Sequence, residues 1–324
     1  MQNNIHRFVF SVLSFAVTCS ITAQTTWNVG ETVLNEYNLV SGVNIPWELT
    51  WGPDDMLWCT TREGDVLRID PTSGAYETVL SLNVNDSGVE PGLLGMALHP
   101  DFTNQPLVYL AYTAQDFQNG NHERLSVFYW NGTNLGNEQI LHIVGAAGIH
   151  NGSRLLILPD NTLLMSTGDL GDGGVSSQSD NNDNGKILRF NLDGSVPSDN
   201  PDPTSFIYTK GHRNSQGLCV GPNGIIYSSE HGQYNSDEFN IIEAGRNYGW
   251  PNVEGVCDGI CDWCNSGAEE SFCLANNMVI CNSVTLIIYK KSTSRSIFTW
   301  FIWTIWSLRA VWIFLDCFIF IKML

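Results

Sequence analysis

One sequence pattern recurs four times and limits what the chain can fold into. Each copy has an apolar segment, a turn with Pro-Asp or Pro-Asn, and a second apolar segment: LTWGPDDMLWCTT from Leu49, MALHPDFTNQPLVYLAYT from Met96, LLILPDNTLLMSTGD from Leu155 and LCVGPNGIIYSSE from Leu218. This arrangement is typical of a β-hairpin. Hairpins repeated at irregular spacing predict an all-β fold of the β-propeller type, with a β-sandwich as the lesser alternative.

Composition excludes one large class of partner. The chain of 324 residues carries 15 Lys and Arg against 33 Asp and Glu, which gives a formal net charge of −18. Binding to nucleic acid requires clustered positive charge, so we expect no nucleic-acid partner. Loops rich in Asp and Asn instead suit hard cations that prefer oxygen ligands, such as calcium.

The two ends of the chain differ from its middle. Arg7, the apolar run FVFSVLSFAV and the small residues around Ala23 predict a signal peptide over residues 1–24, and therefore a secreted or periplasmic protein. Lipidation at Cys19 is a weaker alternative, because the preceding AVT is a poor lipidation sequence. Residues 25–278 are predicted to form the propeller domain, and residues 279–324 an atypical apolar and basic tail.

Three interpretations of the tail are open. The run from Ile297 to Ile321 is long enough for a membrane anchor, although Arg309 and Asp316 would each cost about 2.5–3.5 kcal/mol near a helix centre. A final blade would need turn residues, and the tail has neither Gly nor Pro. A shifted reading frame would explain the joint change in composition and charge, and predicts that the chain as written has little activity. A membrane is a partner only if the tail is an anchor.

Five motifs in order resemble a known family. PGLLGMALHPDF, IHNGSRLLILPDNTLLMSTGD, GKILRFNLDGSVPSDNP, GHRNSQGL and EHGQYNSDEFNIIEAGRNYGWPNVEG are similar to the soluble quinoprotein glucose/sorbosone dehydrogenases, also called aldose sugar dehydrogenases, from Pro46 to Cys273. The resemblance implies a six-bladed propeller, incomplete here because its last blade or more is missing or replaced by the tail. It also implies oxidation of the C1 hydroxyl of an aldose to a lactone, with pyrroloquinoline quinone (PQQ), calcium and a separate electron acceptor.

The resemblance also implies catalytic roles. Oxidation of a hydroxyl needs a base for its proton, and His titrates near neutral pH. The family motif places this base at His150 and its orienting carboxylate at Asp169. It places Arg213 and Asn214 against the quinone, where the charge of Arg213 would stabilise a developing oxyanion. Without the resemblance, His150 would be interpreted as a turn cap and Arg213 as part of a structural ion pair.

Calcium ligands follow from the same resemblance. The backbone carbonyls of Gly232 and Gln233 would bind the calcium that bridges to the quinone. Glu238 and the carbonyl of Tyr248 would form a separate structural calcium site, since calcium prefers carboxylate and carbonyl oxygens. The alternative is an ordinary solvated acidic loop.

Three positions depart from the family pattern. Glu90 stands where a glutamine that contacts the quinone is frequent, and its charge beside an anionic cofactor is unfavourable unless calcium or arginine offsets it. Gln233 replaces a proline, which predicts a looser loop. Ile149 replaces an aspartate that glucose-oxidising members have next to the base, so the sequence does not favour glucose in particular.

The cysteines divide into two groups. Cys59 and Cys219 lie in apolar strand segments and are predicted to be buried thiols. Export favours one or two disulfides over a zinc site among the four cysteines of one loop, with Cys257 and Cys273 as the first pairing: Cys257, Cys261, Cys264 and Cys273.

Two other functions stay open. One is a non-catalytic propeller that binds a protein partner or a glycan through the same surface. The other is a calcium-dependent lactonase. A quinone enzyme needs cations for the carboxylates of its cofactor, whereas a binding protein does not.

Overall fold

The computed structural model describes residues 38–255 except 117, 119, 222, 223 and 235, together with the backbone of short strands on either side. The predicted signal peptide, the disulfides between Cys257 and Cys273, and the side chains of the tail lie outside the described residues. Within the described part of the chain, no helix is long and apolar enough to span a membrane.

The fold is a β-propeller, as the repeated hairpins predict. Blades 1 and 2 are four-stranded antiparallel sheets that follow a short hairpin, in the order β1 (Thr25–Val29), β2 (Thr32–Glu36), β3 (Pro46–Trp51), β4 (Leu57–Thr61), β5 (Asp65–Ile69), β6 (Tyr76–Ser81), β7 (Leu93–Leu98), β8 (Leu107–Asp116), β9 (Gly120–Trp130) and β10 (Leu135–Gly145).

Blades 3 and 4 continue the same meander. Blade 3 has four strands and blade 4 has three among the described residues, and one helical turn interrupts blade 3: β11 (Gly152–Ile157), β12 (Thr162–Thr167), α1 (Val175–Gln178), β13 (Lys186–Asn191), β14 (Ile207–Lys210), β15 (Ser215–Val220), β16 (Ile226–Glu230) and β17 (Glu238–Ile242). Two further hairpins are described by their backbone: β18 (Ile288–Lys291), β19 (Ile297–Trp300), β20 (Ala310–Val311) and β21 (Phe320–Ile321). Further blades of the predicted six lie outside the described residues.

The proline turns of the repeats explain why the hairpins form. In three of them the residue before the proline donates its backbone N–H to the carbonyl four positions later: Gly52 to Met56 at 2.7 Å, Leu158 to Thr162 at 2.8 Å and Gly221 to Ile225 at 2.7 Å. The residue before each acceptor has a left-handed backbone: Asp55, Asn161 and Gly224. Asp, Asn and Gly tolerate this conformation, so the turn residues fix the hairpin register.

Apolar side chains pack between neighbouring blades. Trp58 of blade 1 packs in one cluster with Leu93 of blade 2, and Leu125 of blade 2 packs with Leu188 of blade 3. The first strands contact one another in series, β3 with β7, β7 with β11 and β11 with β15. The starts of these inner strands and the ends of the second strands therefore gather at one end of the propeller.

The two cysteines of the apolar strands are buried, as predicted. Burial raises the pKa of Cys59 to about 12, because the thiolate would lose its hydration. Cys59 is therefore a protonated packing residue at neutral pH.

Glu123 on β9 is fully buried and makes no ion pair among the described residues. Neither carboxyl oxygen has a hydrogen-bond partner among the described residues. Burial raises the pKa of Glu123 to about 8, and the nearby Ser153 hydroxyl opposes this only in part. Glu123 is therefore a neutral acid below about pH 8 in the folded protein.

This burial predicts a pH-dependent stability. An unfolded glutamate loses its proton near 4.5 and folded Glu123 near 8, so between these values the folded state binds more protons and the free energy of unfolding falls as pH rises. We expect Glu123→Gln to match the wild type near pH 5 and to exceed it by a few kcal/mol near pH 8. Urea unfolding at both pH values measures this, with exposed Glu77→Gln as the control. An equal pH dependence in wild type and Glu123→Gln would contradict the assignment.

Candidate active site

A histidine and a carboxylate meet where blades 2, 3 and 4 approach each other. The His150 Nδ1 atom lies 2.6 Å from Asp169 Oδ1. The His150 side chain is 12% exposed and the Asp169 side chain 1%. Asp169 fixes Nδ1 as the bound nitrogen, and no hydrogen bond to Nε2 occurs among the described residues. The imidazole is thus held by one nitrogen and presents the other.

Local backbone geometry produces this pair. His150 lies two residues before β11 with φ of 55°, a left-handed conformation that is uncommon outside glycine. Gly168 passes so close that a Cβ there would lie 2.0 Å from the His150 carbonyl oxygen. The Leu170 N–H then donates to that carbonyl at 3.3 Å. The turn that places Asp169 beside His150 therefore requires glycine at position 168.

Asp169 is ionised despite its burial. Burial alone would raise the pKa of Asp169, but hydrogen bonds from His150, the Gly171 N–H and the Trp250 indole lower it below its usual value. The Gly171 N–H donates to Oδ1 at 2.8 Å and Trp250 Nε1 donates to Oδ2 at 2.8 Å. A charged, fully bonded carboxylate can orient an imidazole and stabilise its protonated form.

Glu90 joins the site from the loop before β7. Its Oε2 accepts the His150 N–H at 2.8 Å, and Asn214 Nδ2 donates to both carboxylate oxygens at 3.2 and 3.3 Å. Gln216 Nε2 adds a contact at 3.4 Å. Backbone and side-chain N–H groups of the described residues therefore hydrogen-bond to the Glu90 carboxylate.

Arg213 and Asn214 link blade 4 to the pair. The Arg213 carbonyl accepts the Asp169 N–H at 2.8 Å, and Asn214 Oδ1 accepts the Gly152 N–H at 3.1 Å. Arg213 Nη1 donates to the His231 carbonyl at 2.9 Å, and its guanidinium lies 5.5 Å from the Trp250 ring centroid. Arg213 makes no ion pair among the described residues, which argues against its interpretation as half of a structural ion pair.

His212, beside Arg213, is a packing residue. Its ring is fully buried and stacks on Tyr248 with centroids 4.7 Å apart. Nδ1 lies 2.8 Å from Glu230 Oε2, and Nε2 lies 2.8 Å from the Thr209 hydroxyl. Both nitrogens are therefore occupied, and His212 cannot exchange a proton with a substrate in this geometry.

The two residues predicted to bind the bridging calcium, Gly232 and Gln233, both donate their backbone N–H groups to carboxylates. Asp237 Oδ1 accepts the Gly232 N–H at 2.9 Å, and the Glu254 carboxylate accepts the Gln233 N–H. A proline would lack this second donor, so Gln233 adds a bond rather than producing the looser loop that the sequence predicted. The Gly232 carbonyl lies 2.7 Å from His231 Nδ1.

The predicted structural-calcium residue Glu238 makes no ion pair with a basic side chain among the described residues. Its oxygens accept the Gly255 N–H at 2.6 Å and Asn240 Nδ2 at 2.9 Å. Burial, and next the charge of Glu230, raise the pKa of Glu238 to about 8. Asn240 Oδ1 is buried and has no hydrogen-bond partner among the described residues. The Glu238 carboxylate and the Asn240 amide oxygen thus belong to two side chains in direct contact.

Tyr248 is not bonded to Glu238 directly. Glu230 lies between them. It is the strand partner of Glu238 in the β16–β17 pairing, and its carboxylate hydrogen-bonds to His212. The His212 ring in turn stacks on Tyr248. Among the described residues, no three His, Cys, Asp or Glu side chains converge as they would at a metal site built from side chains alone. A cation here would depend on backbone carbonyls, as the predicted ligand sets do.

Ile149 lies beside the predicted base as an exposed apolar side chain. It is 41% exposed, and its Cδ1 would lie 2.9 Å from a Cβ at Gly171. An isoleucine cannot hydrogen-bond to a sugar hydroxyl, so this side of His150 offers only apolar contact.

Sequence reasoning missed three residues that hold the site together: Trp250, Glu230 and Gln216. All three stand inside the motifs quoted above, but nothing in their local pattern shows which side chain they meet. Glu230 is the last residue of β16 and has no proposed role in the reaction itself. Its carboxylate accepts hydrogen bonds from the Arg213 backbone N–H and from His212 Nδ1. Each acts on a residue of another strand or blade.

Comparison with known proteins identifies relatives. The family model for glucose/sorbosone dehydrogenase matches residues 43–259. The chain is 38% identical over 254 residues to quinoprotein glucose dehydrogenase B of Acinetobacter calcoaceticus, covering 68% of this chain and 53% of that protein. It is 29% identical over 224 residues to the aldose sugar dehydrogenase YliI of Escherichia coli K12, covering 64% and 58%. The chain therefore spans a little over half the length of these curated relatives.

A solved structure is similar to this chain in both sequence and fold. The PQQ-bound form of aldose sugar dehydrogenase from Streptomyces coelicolor matches with a TM-score of 0.70 and 31% identity, over 86% of this chain and 80% of that chain. The family model covers most of the described residues, including His150, Asp169, Arg213 and Glu238. This chain belongs to the glucose/sorbosone dehydrogenase family, as a homologue of the PQQ-dependent sugar dehydrogenases.

Proposed function

We propose that this protein oxidises the C1 hydroxyl of an aldose to the lactone in a secreted or periplasmic setting, with PQQ, calcium and a separate electron acceptor. The observation that carries this proposal is the His150–Asp169 pair, with Nδ1 and Oδ1 2.6 Å apart, near the Arg213 guanidinium, which makes no ion pair among the described residues and whose Nε has no hydrogen-bond partner there. A base and a cation at one site are what removal of a hydroxyl proton requires.

The residues divide the work as follows. Asp169 keeps the proton on His150 Nδ1, so that Nε2 carries the lone pair that takes the proton from the sugar hydroxyl. Arg213 supplies a fixed positive charge for the negative charge that develops. PQQ, when bound, supplies the two-electron acceptor. Ile149 contacts the apolar face of the sugar.

The residues fit a bound quinone. Arg213 Nε is buried and has no hydrogen-bond partner among the described residues, and such a donor suits a carbonyl or carboxylate oxygen. Arg213 and Asn214 would contact the quinone, with Glu90 at its edge. Glu90 is already bonded to several N–H donors, which reduces its repulsion of an anionic cofactor.

The residues also fit calcium. The buried Glu238 carboxylate, and the Asn240 Oδ1 atom that has no hydrogen-bond partner among the described residues, are oxygen ligands that suit a hard divalent ion. Glu238 and the Tyr248 carbonyl would hold a structural calcium. The carbonyls of Gly232 and Gln233 would hold the ion nearest the quinone.

Loading the full chain with PQQ and calcium tests the proposal. We expect an aldose to be consumed and its lactone to form with a dye as acceptor. A chelator should release the quinone and lower the Tm, because a ligand at 100 times its Kd stabilises the folded state by about 2.7 kcal/mol. Calcium should restore both. Glu238→Gln should lose the calcium-dependent rise in Tm, while Glu243→Gln, at an exposed position, should keep it.

Other outcomes would favour other functions. Melting and quinone absorbance that do not respond to chelator would contradict the calcium sites. Lactone hydrolysis without sugar oxidation would favour a calcium-dependent lactonase. Absence of quinone binding, oxidation and hydrolysis would favour either a propeller that binds a partner or a glycan, or the shifted reading frame of the tail, which also predicts little activity.

A further inference from the structure

Trp250 contacts both halves of the candidate active site through one indole ring. It follows β17 and is 8% exposed. Its Nε1–H donates to Asp169 Oδ2 at 2.8 Å, and the Arg213 guanidinium carbon lies 5.5 Å from its ring centroid. A cation within about 6 Å of an indole centroid is attracted to the ring face. One side chain thus touches the carboxylate that holds the predicted base and the predicted oxyanion-stabilising cation.

Trp250 is itself held by blade 3. Gln178 at the end of α1 donates from Nε2 to the Trp250 carbonyl at 2.6 Å. The Gln178 and Asn247 side-chain amides bond to each other at 2.8 and 3.1 Å. The Trp250 N–H donates to the Gly211 carbonyl at 3.0 Å. Both backbone groups of Trp250 are therefore bonded, which leaves its indole little freedom to move.

We infer that Trp250 is a positioning residue that sets the orientation of the His150–Asp169 pair relative to the Arg213 guanidinium. The inference rests on the proposed function, in which His150 takes the substrate proton. Asp169 Oδ1 is bound by His150 and Gly171, so the indole bond to Oδ2 stops the carboxylate from rotating. A carboxylate bonded at both oxygens is also a weaker proton acceptor.

The surrounding charges do not change when the indole donor is removed. Besides His150 and Asp169, the charged residues among the described ones that hydrogen-bond to this pair are Glu90 from before β7, Arg213 from before β15 and Asp172 from after β12. A change at Trp250 therefore acts on the pair through one hydrogen bond and one ring face.

Trp250→Phe removes the N–H donor and keeps an aromatic face beside Arg213. We expect the midpoint of the His150 imidazole titration, followed by NMR on the full chain without added quinone or calcium, to rise by roughly half a pH unit or more, because Asp169 becomes a stronger acceptor. In the quinone-loaded protein, kcat should fall about ten-fold while KM changes by less than about three-fold, as expected for a group that orients the reacting pair.

Trp58→Phe is the matched control. Trp58 is fully buried in blade 1, and its Nε1–H also donates to a carboxylate, Asp54 Oδ1, at 3.1 Å. This change should lower the Tm and leave the His150 titration and the kcat unchanged. A Trp250→Phe titration identical to that of the wild type would overturn the inference and leave Trp250 as a packing residue.

If Trp250→Phe does not fold, the inference is tested on the wild-type protein. With ¹⁵N-labelled tryptophan, the NMR signal of the Trp250 indole N–H should shift as pH changes, with the same midpoint as the titration of the His150 ring. An indole signal that does not change over this titration would overturn the inference. The proposed function fails separately: if His150→Gln keeps full turnover, the base assignment is wrong whatever Trp250 does.

Discussion

His150→Gln should lower aldose oxidation by the quinone-loaded, calcium-loaded protein about 10²- to 10⁴-fold, the usual contribution of a general base. Glutamine has nearly the same reach as histidine but cannot take a proton. Because His150 Nδ1 is already bonded to Asp169, the variant loses the proton acceptor and one internal hydrogen bond. Quinone binding should change little, since the residues predicted to contact the quinone, Glu90, Arg213 and Asn214, remain.

The chain offers a matched control for this change. His142 also pairs with a carboxylate, since its Nε2 lies 2.9 Å from Asp183 Oδ2. It packs against Phe190 and Phe206, away from the candidate site. His142→Gln should leave kcat within about two-fold of the wild type. Turnover in His150→Gln equal to that of His142→Gln would show that His150 is not the base.

The second large effect concerns a buried ion pair between blade 1 and blade 3. Glu48 on β3 of blade 1 and Arg154 on β11 of blade 3 are 5% and 3% exposed, and Arg154 Nη1 contacts Glu48 Oε2. Arg154 Nε donates to the Gln216 carbonyl at 2.9 Å, and its guanidinium lies 4.0 Å from the Trp47 ring centroid. The pair thus joins blades 1, 3 and 4.

Removing either partner should be strongly destabilising, because the remaining charge is buried alone. Arg154→Met or Glu48→Met should lower the free energy of unfolding by about 3–5 kcal/mol. Burial already lowers the pKa of Arg154 to about 9, which shows how costly its charge is there. Arg154→Met should lose less stability in acid, since Glu48 can then be protonated. The double change should be less destabilising than either single change, because no buried charge is left unpaired.

Urea unfolding of the two single variants and the double variant measures the coupling. Single effects that simply add would show that the two charges do not depend on each other. The exposed pair of Lys210 and Asp180, with Nζ and Oδ1 2.7 Å apart, provides the comparison. Lys210→Met should cost less than about 1 kcal/mol, because solvent screens that pair.

Much of the fold could be predicted from the sequence because its signals are local. A Pro-Asp turn closes by a hydrogen bond between residues four positions apart, and Asp55 and Asn161 tolerate the left-handed backbone that the turn needs. The apolar segments on each side of the turn then form the two strands of the hairpin. The all-β propeller, the buried thiols and the extent of the family resemblance all follow from such short-range patterns.

The candidate site was predicted residue by residue, through the order of its motifs rather than through its geometry. His150 and Asp169 do come together, as do Glu90 and Asn214. The sequence could not show that backbone and side-chain N–H groups donate to the Glu90 carboxylate. It also could not show that Gln233 gains a bond that proline cannot make, because both partners come from distant loops.

By itself, then, the sequence determined the hairpins, their turns and the identity of the chemical groups. Tertiary structure alone decided the contacts between blades. Trp250 and Asp169 are 81 positions apart, and Glu48 and Arg154 are 106 positions apart. Such contacts depend on the angle and distance at which successive blades pack, which no local propensity encodes. Which indole donates to the Asp169 carboxylate, and which arginine pairs with Glu48, is therefore fixed only when the blades are assembled.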